Sequence, residues 1–222
     1  FCRRLGQLRN GRGLEHIRVR VEDLRGAALL AVAGDLVRQE KPDPLNMLLI
    51  EFLGGHCVAI DTAPSFEIDI DAVASSIGPK TRAVLLNSPN NPTGLVISLE
   101  TLKKLAALAD THNITLISDE LYRGFCYDRP FISAASCSQN AVILDGFSKT
   151  HAMTGWRVGY MHGPAEIIDA CITLQQYTFV CSPQVGQWAA LAAADCDMSE
   201  AFDTCRKKRD HLIEGLRGHY DF

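Results

Sequence analysis

The sequence predicts an α/β fold on a mostly parallel sheet, and three observations carry that expectation. Short apolar runs such as Ala83 to Leu86, Ile114 to Ile117 and Ala141 to Leu144 lack the alternating polar face of a one-sided strand, as interior parallel strands do. The first two flank a helical stretch, and a strand, helix, strand order with about twenty residues of crossover makes a right-handed unit of parallel strands. Each run also ends in polar residues of the kinds that chemistry uses, and strands of this type present functional residues at their carboxyl ends.

Residues 1–47 stand apart. Eight of the fifteen arginines fall between Arg3 and Arg38, and the segment carries nine basic against six acidic residues in a chain of net charge −4. One reading is a basic arm for an anionic partner; the other is a solvated helix face over Val21 to Gln39. A third reading, developed below, is that the segment is foreign to the rest of the chain.

From Leu48 the punctuation becomes regular. Leu48 to Leu53 is apolar and stops at Gly54-Gly55, Cys57 to Ile60 reads as a short strand, and Asp71 is a candidate cap for a helix over Ala72 to Ile77. The strand Ala83 to Leu86 runs into NSPNNPTG, Asn87 to Gly94, whose Asn, Pro and Gly content dictates a specific turn. Ser98 caps the next helix, Glu100 favours its first turn, and Leu99, Leu102, Leu105, Ala106 and Ala109 recur at helical spacing until His112-Asn113. The strand Ile114 to Ile117 follows and leads into SDELYR, Ser118 to Arg123. The last interior strand, Ala141 to Leu144, is ended by Asp145 and Gly146 and delivers Lys149 into a turn that also holds Arg157.

Three strand ends therefore lead to Asn91, Asp119 and Lys149, which should share one rim of the sheet. Taken alone, each candidate has an ordinary explanation: Asp119 as a helix cap, Tyr122 as a packing aromatic, Arg157 as a surface cation. Together they match one cofactor. A lysine amine shielded from water is a nucleophile toward carbonyls, and an arginine presents a planar fork of donors to phosphate. Pyridoxal phosphate asks for a lysine at its aldehyde, a carboxylate at its ring nitrogen, donors at its phenolic oxygen and a cation at its phosphate.

The stretch GFSKTHAMTGWRVG, with an arginine eight residues after its lysine, and the motifs SPNNPTG and SDELYR resemble those of the class I/II aminotransferases of the aspartate aminotransferase type, which are fold type I pyridoxal phosphate enzymes. The resemblance runs from about Leu48 to Phe222 and implies the three-layer α-β-α large domain of that fold over residues 48–200. It makes residues 201–222 the start of a helix leading toward a C-terminal small domain. It also implies that Lys149 forms the Schiff base with the cofactor and moves the substrate's α-proton. Asp119 then meets the pyridine nitrogen, Asn91 and Tyr122 the phenolic oxygen, and Arg157 the phosphate. Substrates would be an amino acid and a 2-keto acid, and a full-length parent would be a homodimer.

The departures matter too. Many relatives place a phosphate-binding serine where this chain has Gly146, which leaves Ser148 as the candidate for that contact. The family's upstream phosphate turn and stacking aromatic are not found in residues 1–47, so the chain is expected to be incomplete at both ends. That segment is read as not family sequence, translated in a shifted frame or joined at a wrong boundary, with true divergence as the alternative.

Composition narrows the remaining classes. A chain of 222 residues, 47% hydrophobic and slightly acidic, is globular and does not favour nucleic acid as a partner. No run approaches the length of a membrane span, and no secretory leader layout is present. The eight cysteines show no CxxC and no regular spacing with histidine, so no metal is expected; reduced, mostly buried thiols in a cytoplasmic enzyme are. The alternatives to transamination are another reaction of the same carbanion, such as carbon–sulfur β-elimination, or an inactive truncated product.

Overall fold

Among the described residues, seven strands form one sheet in the order β1-β7-β6-β5-β4-β2-β3: β1 (Arg20–Glu22), β2 (Asp35–Gln39), β3 (His56–Ile60), β4 (Thr81–Asn87), β5 (Thr115–Asp119), β6 (Val142–Gly146) and β7 (Gly159–His162). The structure, a computed structural model, describes residues 20–22, 35–39, 50–62 and 65–220. Strands β3, β2, β4, β5 and β6 are mutually parallel, whereas β7 runs antiparallel to β6 and β1 antiparallel to β7.

The longer helices among the described residues are α1 (Ile70–Ser76), α2 (Leu99–His112), α3 (Ala165–Thr178), α4 (Gln184–Ala193) and α5 (Ser199–Leu216). Alternate residues of the central strands point to opposite faces, so each face has its own core. On one, Val84, Leu86, Leu116 and Ile143 pack with Val73 of α1 and Leu102, Leu105, Ala106 and Ala109 of α2. On the other, Ala83, Ile117, Val142 and Leu144 pack with Ile168 and Cys171 of α3. This is the α-β-α layering expected of a fold type I enzyme.

Local chemistry sets the helix ends. The Ser98 hydroxyl accepts from the Thr101 N–H at 3.0 Å, and Asn113 closes α2 in the left-handed region at φ 52°. Helix α1 is capped by Asp69 rather than Asp71, because the Asp69 carboxylate reaches the N–H groups of Asp71 and Ala72 at 2.9 and 3.1 Å. Asp71 lies inside the first turn, where its charge still suits the helix dipole.

Other expectations change. The apolar run ending at Gly54 is helical over 50–52, and the strand before the lysine extends through Asp145 and Gly146, both buried. Residues 20–22 and 35–39, at the two ends of the span read as a possible helix over Val21 to Gln39, are strands; the remainder of 1–47 lies outside the described residues. Only Cys57 and Cys171 of the described thiols are buried, because the others sit on helix surfaces and turns.

Candidate active site

In the strand register Asn87 lies beside Asp119, and Asp119 beside Leu144, so β4, β5 and β6 end together at one rim. The turn after β4 is built from side-chain amides. Asn87 Oδ1 accepts from the Asn91 N–H at 2.9 Å, and Asn90 Oδ1 accepts from the N–H and hydroxyl of Thr93 at 3.1 and 2.8 Å. Both Ser88–Pro89 and Asn91–Pro92 bonds are cis. The result holds Asn91 at the surface, with its Nδ2 donating to the Tyr122 hydroxyl at 3.3 Å.

Tyr122 follows β5 on a turn whose first bond is made by Asp119, whose Oδ1 accepts from the Leu121 N–H at 3.1 Å. Glu120, 2% exposed, faces the opposite way and accepts from the Ala134 N–H at 2.8 Å. Burial pushes its carboxyl above the ordinary range, against the help of neighbouring hydroxyls.

The turn after β6 brings the half-buried Lys149 over Tyr122, with Nζ 5.7 Å from the ring centroid. Gly146 permits this route. A Cβ there would lie 2.9 Å from Gly159 Cα and 3.2 Å from the Val158 carbonyl, so no serine fits at this position without a backbone shift. The Thr150 hydroxyl donates to the Gly146 carbonyl at 3.1 Å, and the Thr154 hydroxyl donates to the Ser148 carbonyl at 2.8 Å. Ser148 is half-buried next to the lysine. Arg157 lies just before β7 in the left-handed region, φ 53°, and its guanidinium donates to the Thr154 carbonyl at 3.0 Å.

Asn91 and Lys149 thus both approach Tyr122. Asp119 stands at the adjoining strand end, and Ser148 and Arg157 share the lysine's turn. An open cavity of about 670 Å³ adjoins Asn91 and Tyr122, lined also by Phe125 and Arg209. Sequence reasoning missed a buried group beneath this surface. Asp145 is held by Arg123 and Tyr160, three residues whose contact becomes visible only once β5, β6 and β7 are assembled. The available signal was an acid at the end of an apolar run and a cation directly after Tyr122.

Comparison with known proteins follows the same outline. The model of the family described as aminotransferase class I and II matches residues 50–221. A probable aspartate aminotransferase of Methanocaldococcus jannaschii is 37% identical over 178 residues, covering 76% of this chain and 48% of the relative. The aspartate/prephenate aminotransferase of Thermus thermophilus is 37% identical over 177 residues, covering 76% and 46%. The crystal structure of Thermotoga maritima aspartate aminotransferase superposes with a TM-score of 0.83 at 32% identity, covering 90% of this chain and 56% of that one. The chain therefore spans about half the length of the curated relatives it matches. Because the family model covers residues 50–221, the chain belongs to the class I and II aminotransferases, enzymes that use pyridoxal phosphate.

Proposed function

We propose that this chain carries the cofactor-binding part of a pyridoxal phosphate-dependent aminotransferase that moves an amino group from an amino acid to a 2-keto acid. The observation that carries the reading is the meeting of Asn91, Tyr122 and Lys149 at the rim where β4, β5 and β6 end. The donor set fits the group. Two neutral donors 3.3 Å apart suit one phenolic oxygen, a carboxylate stands at the next strand end, and an amine, a hydroxyl and a guanidinium share one turn.

Bound pyridoxal phosphate supplies an electron sink for the substrate carbanion. The residues supply the rest. Lys149 Nζ would hold the cofactor at its aldehyde and, when free, would move the substrate's α-proton. Asp119 would keep a proton at the ring nitrogen, since an ion pair in a partly dehydrated site favours both charged forms. Asn91 and Tyr122 would donate to the phenolic oxygen, while Arg157 and Ser148 would hold the phosphate. Aspartate is the donor to assay first, because the Thermus thermophilus and Thermotoga maritima relatives are aspartate aminotransferases and another Thermus thermophilus structure holds maleate, a dicarboxylate.

The test is Lys149→Ala. Loss of the visible absorbance formed with pyridoxal phosphate and at least a ~10³-fold loss of transamination are expected with an unchanged far-UV spectrum. Covalent cofactor retained after borohydride reduction of that variant would sink the assignment.

A cytoplasmic homodimer completes the reading. Exposed Tyr177, Val180, Val185 and Trp188, which follow one another across the end of α3 and the start of α4, support it as apolar surface for a second copy. No helix among the described residues is long and apolar enough to cross a membrane. Light scattering checks the assembly, and a monodisperse monomer would count against the dimer.

A further inference from the structure

Beneath the lysine turn, Asp145, 2% exposed, makes side-chain contacts to its own strand and to two other segments. Its Oδ1 accepts from the Gly146 N–H at 2.6 Å. Its Oδ2 accepts from the Tyr160 hydroxyl at 2.5 Å and pairs with Arg123 Nε at 2.5 Å. Arg123 also reaches the Tyr160 hydroxyl at 3.4 Å. A buried carboxylate is tolerated only when its oxygens are filled and its charge is opposed, and here both conditions are met. None of these three residues belongs to the donor set described above.

We propose that Asp145 is a positioning residue for Lys149: it clamps the turn bearing Tyr122 and Arg123 to the strand end that leads into the lysine turn. The inference rests on Lys149 being the cofactor lysine.

The covalent route is short. Arg123 is the residue after Tyr122, whose ring lies under the Lys149 amine. Asp145 fixes the N–H of Gly146, and the carbonyl of Gly146 is held by Thr150, which follows Lys149. One carboxylate thus controls the separation of the two side chains from both directions. The charges of the pair also oppose each other at their neighbours. At His151 and His162, where burial is the main influence and disfavours protonation, Arg123 adds to that effect and Asp145 opposes it. Glu120, Tyr160 and Tyr122 are the other titratable groups around the pair, and the Tyr160 phenol is pushed well above its ordinary range by burial and then by Asp145.

The test compares wild type with Asp145→Asn, Arg123→Gln and the double variant, without cofactor. Acetic anhydride labels the amines at one mildly alkaline pH, and the rate at Lys149 is read by peptide mass spectrometry. Both single variants open the clamp and should speed labelling of Lys149 about threefold or more. The double variant should stay within a factor of about 1.5 of the faster single variant, because the two residues act as one pair. Lys80 and Lys104, exposed and away from the clamp, should keep their wild-type rates. A role confined to folding speeds all three lysines or leaves Lys149 unchanged, and either result overturns the proposal. If Asp145→Asn does not fold, Arg123→Gln alone decides it, since its side chain is half-exposed: unchanged or slower labelling of Lys149 is contrary. Adding pyridoxal phosphate to the wild type in parallel keeps the two ideas separate, because a wild type without a Lys149-dependent visible band refutes the cofactor reading whatever the labelling rates do.

Discussion

The two turns that frame the site are held by different kinds of interaction. After β4, the chain is fastened by neutral amides over short sequence distances: Asn87 to Asn91, Asn90 to Thr93, and the Asn90 N–H to the Leu95 carbonyl at 2.9 Å. After β6, it is fastened by a buried charge and by backbone packed too closely for any side chain at Gly146. The first arrangement is local, and although Asn90 is buried, Asn91 and Thr93 are exposed, so the freed groups can be solvated when it opens. The second links β5, β6 and β7, and it leaves a charge or a steric conflict in the interior when any member is changed. A surface loop suits a residue that needs only to meet a cofactor edge; a clamped turn suits the lysine that must also move a proton.

That contrast should appear in stability. Gly146→Ala forces a methyl against Gly159 Cα and the Val158 carbonyl, and we expect about 3 kcal/mol of destabilisation, with the antiparallel pairing of β6 and β7 disturbed. Asn90→Ala removes the acceptor used twice by Thr93 but leaves groups that can find water, for a smaller cost of about 1.5 kcal/mol. Urea denaturation of the two variants in one series measures both. If Asn90→Ala proves the more damaging, the turn after β4 is not the locally held one.

Much of this fold was legible because its signals are local. The runs at β4, β5 and β6 are apolar on both faces, and Ser98 and Asn113 mark the ends of α2 by side-chain chemistry and a left-handed residue. The rim was legible for the same reason, since each motif directly follows a strand. What escaped was tertiary. Asp145 looked like a strand terminator because nothing within a few residues shows that Arg123 and Tyr160 will meet it. Asp69 and Asp71 are equivalent caps by composition, and only the extended backbone of Asp69, at ψ 105°, decides between them. The run before Gly54 was ambiguous because a few apolar residues carry no period, and residues 50–52 proved helical.

The smallest expected effect separates two buried carboxylates of this rim, Asp145 with its guanidinium and Glu120 with neutral donors. Glu120 accepts from the Ala134 N–H at 2.8 Å, and burial outweighs its hydrogen bonds, so its folded-state affinity for a proton lies above the ordinary value of 4.5. From 4.5 upward to that raised value the folded state therefore binds more proton than the unfolded state, and stability falls as pH rises through the window. Glu120→Gln keeps an oxygen for Ala134 and removes the titration. The variant should match the wild type below the window and become more stable than it above. Urea midpoints at stepped pH values measure the difference. A wild type that gains on the variant as pH rises would mean that Glu120 is stabilised as an anion, and that both carboxylates beside β6 are held by positive charge.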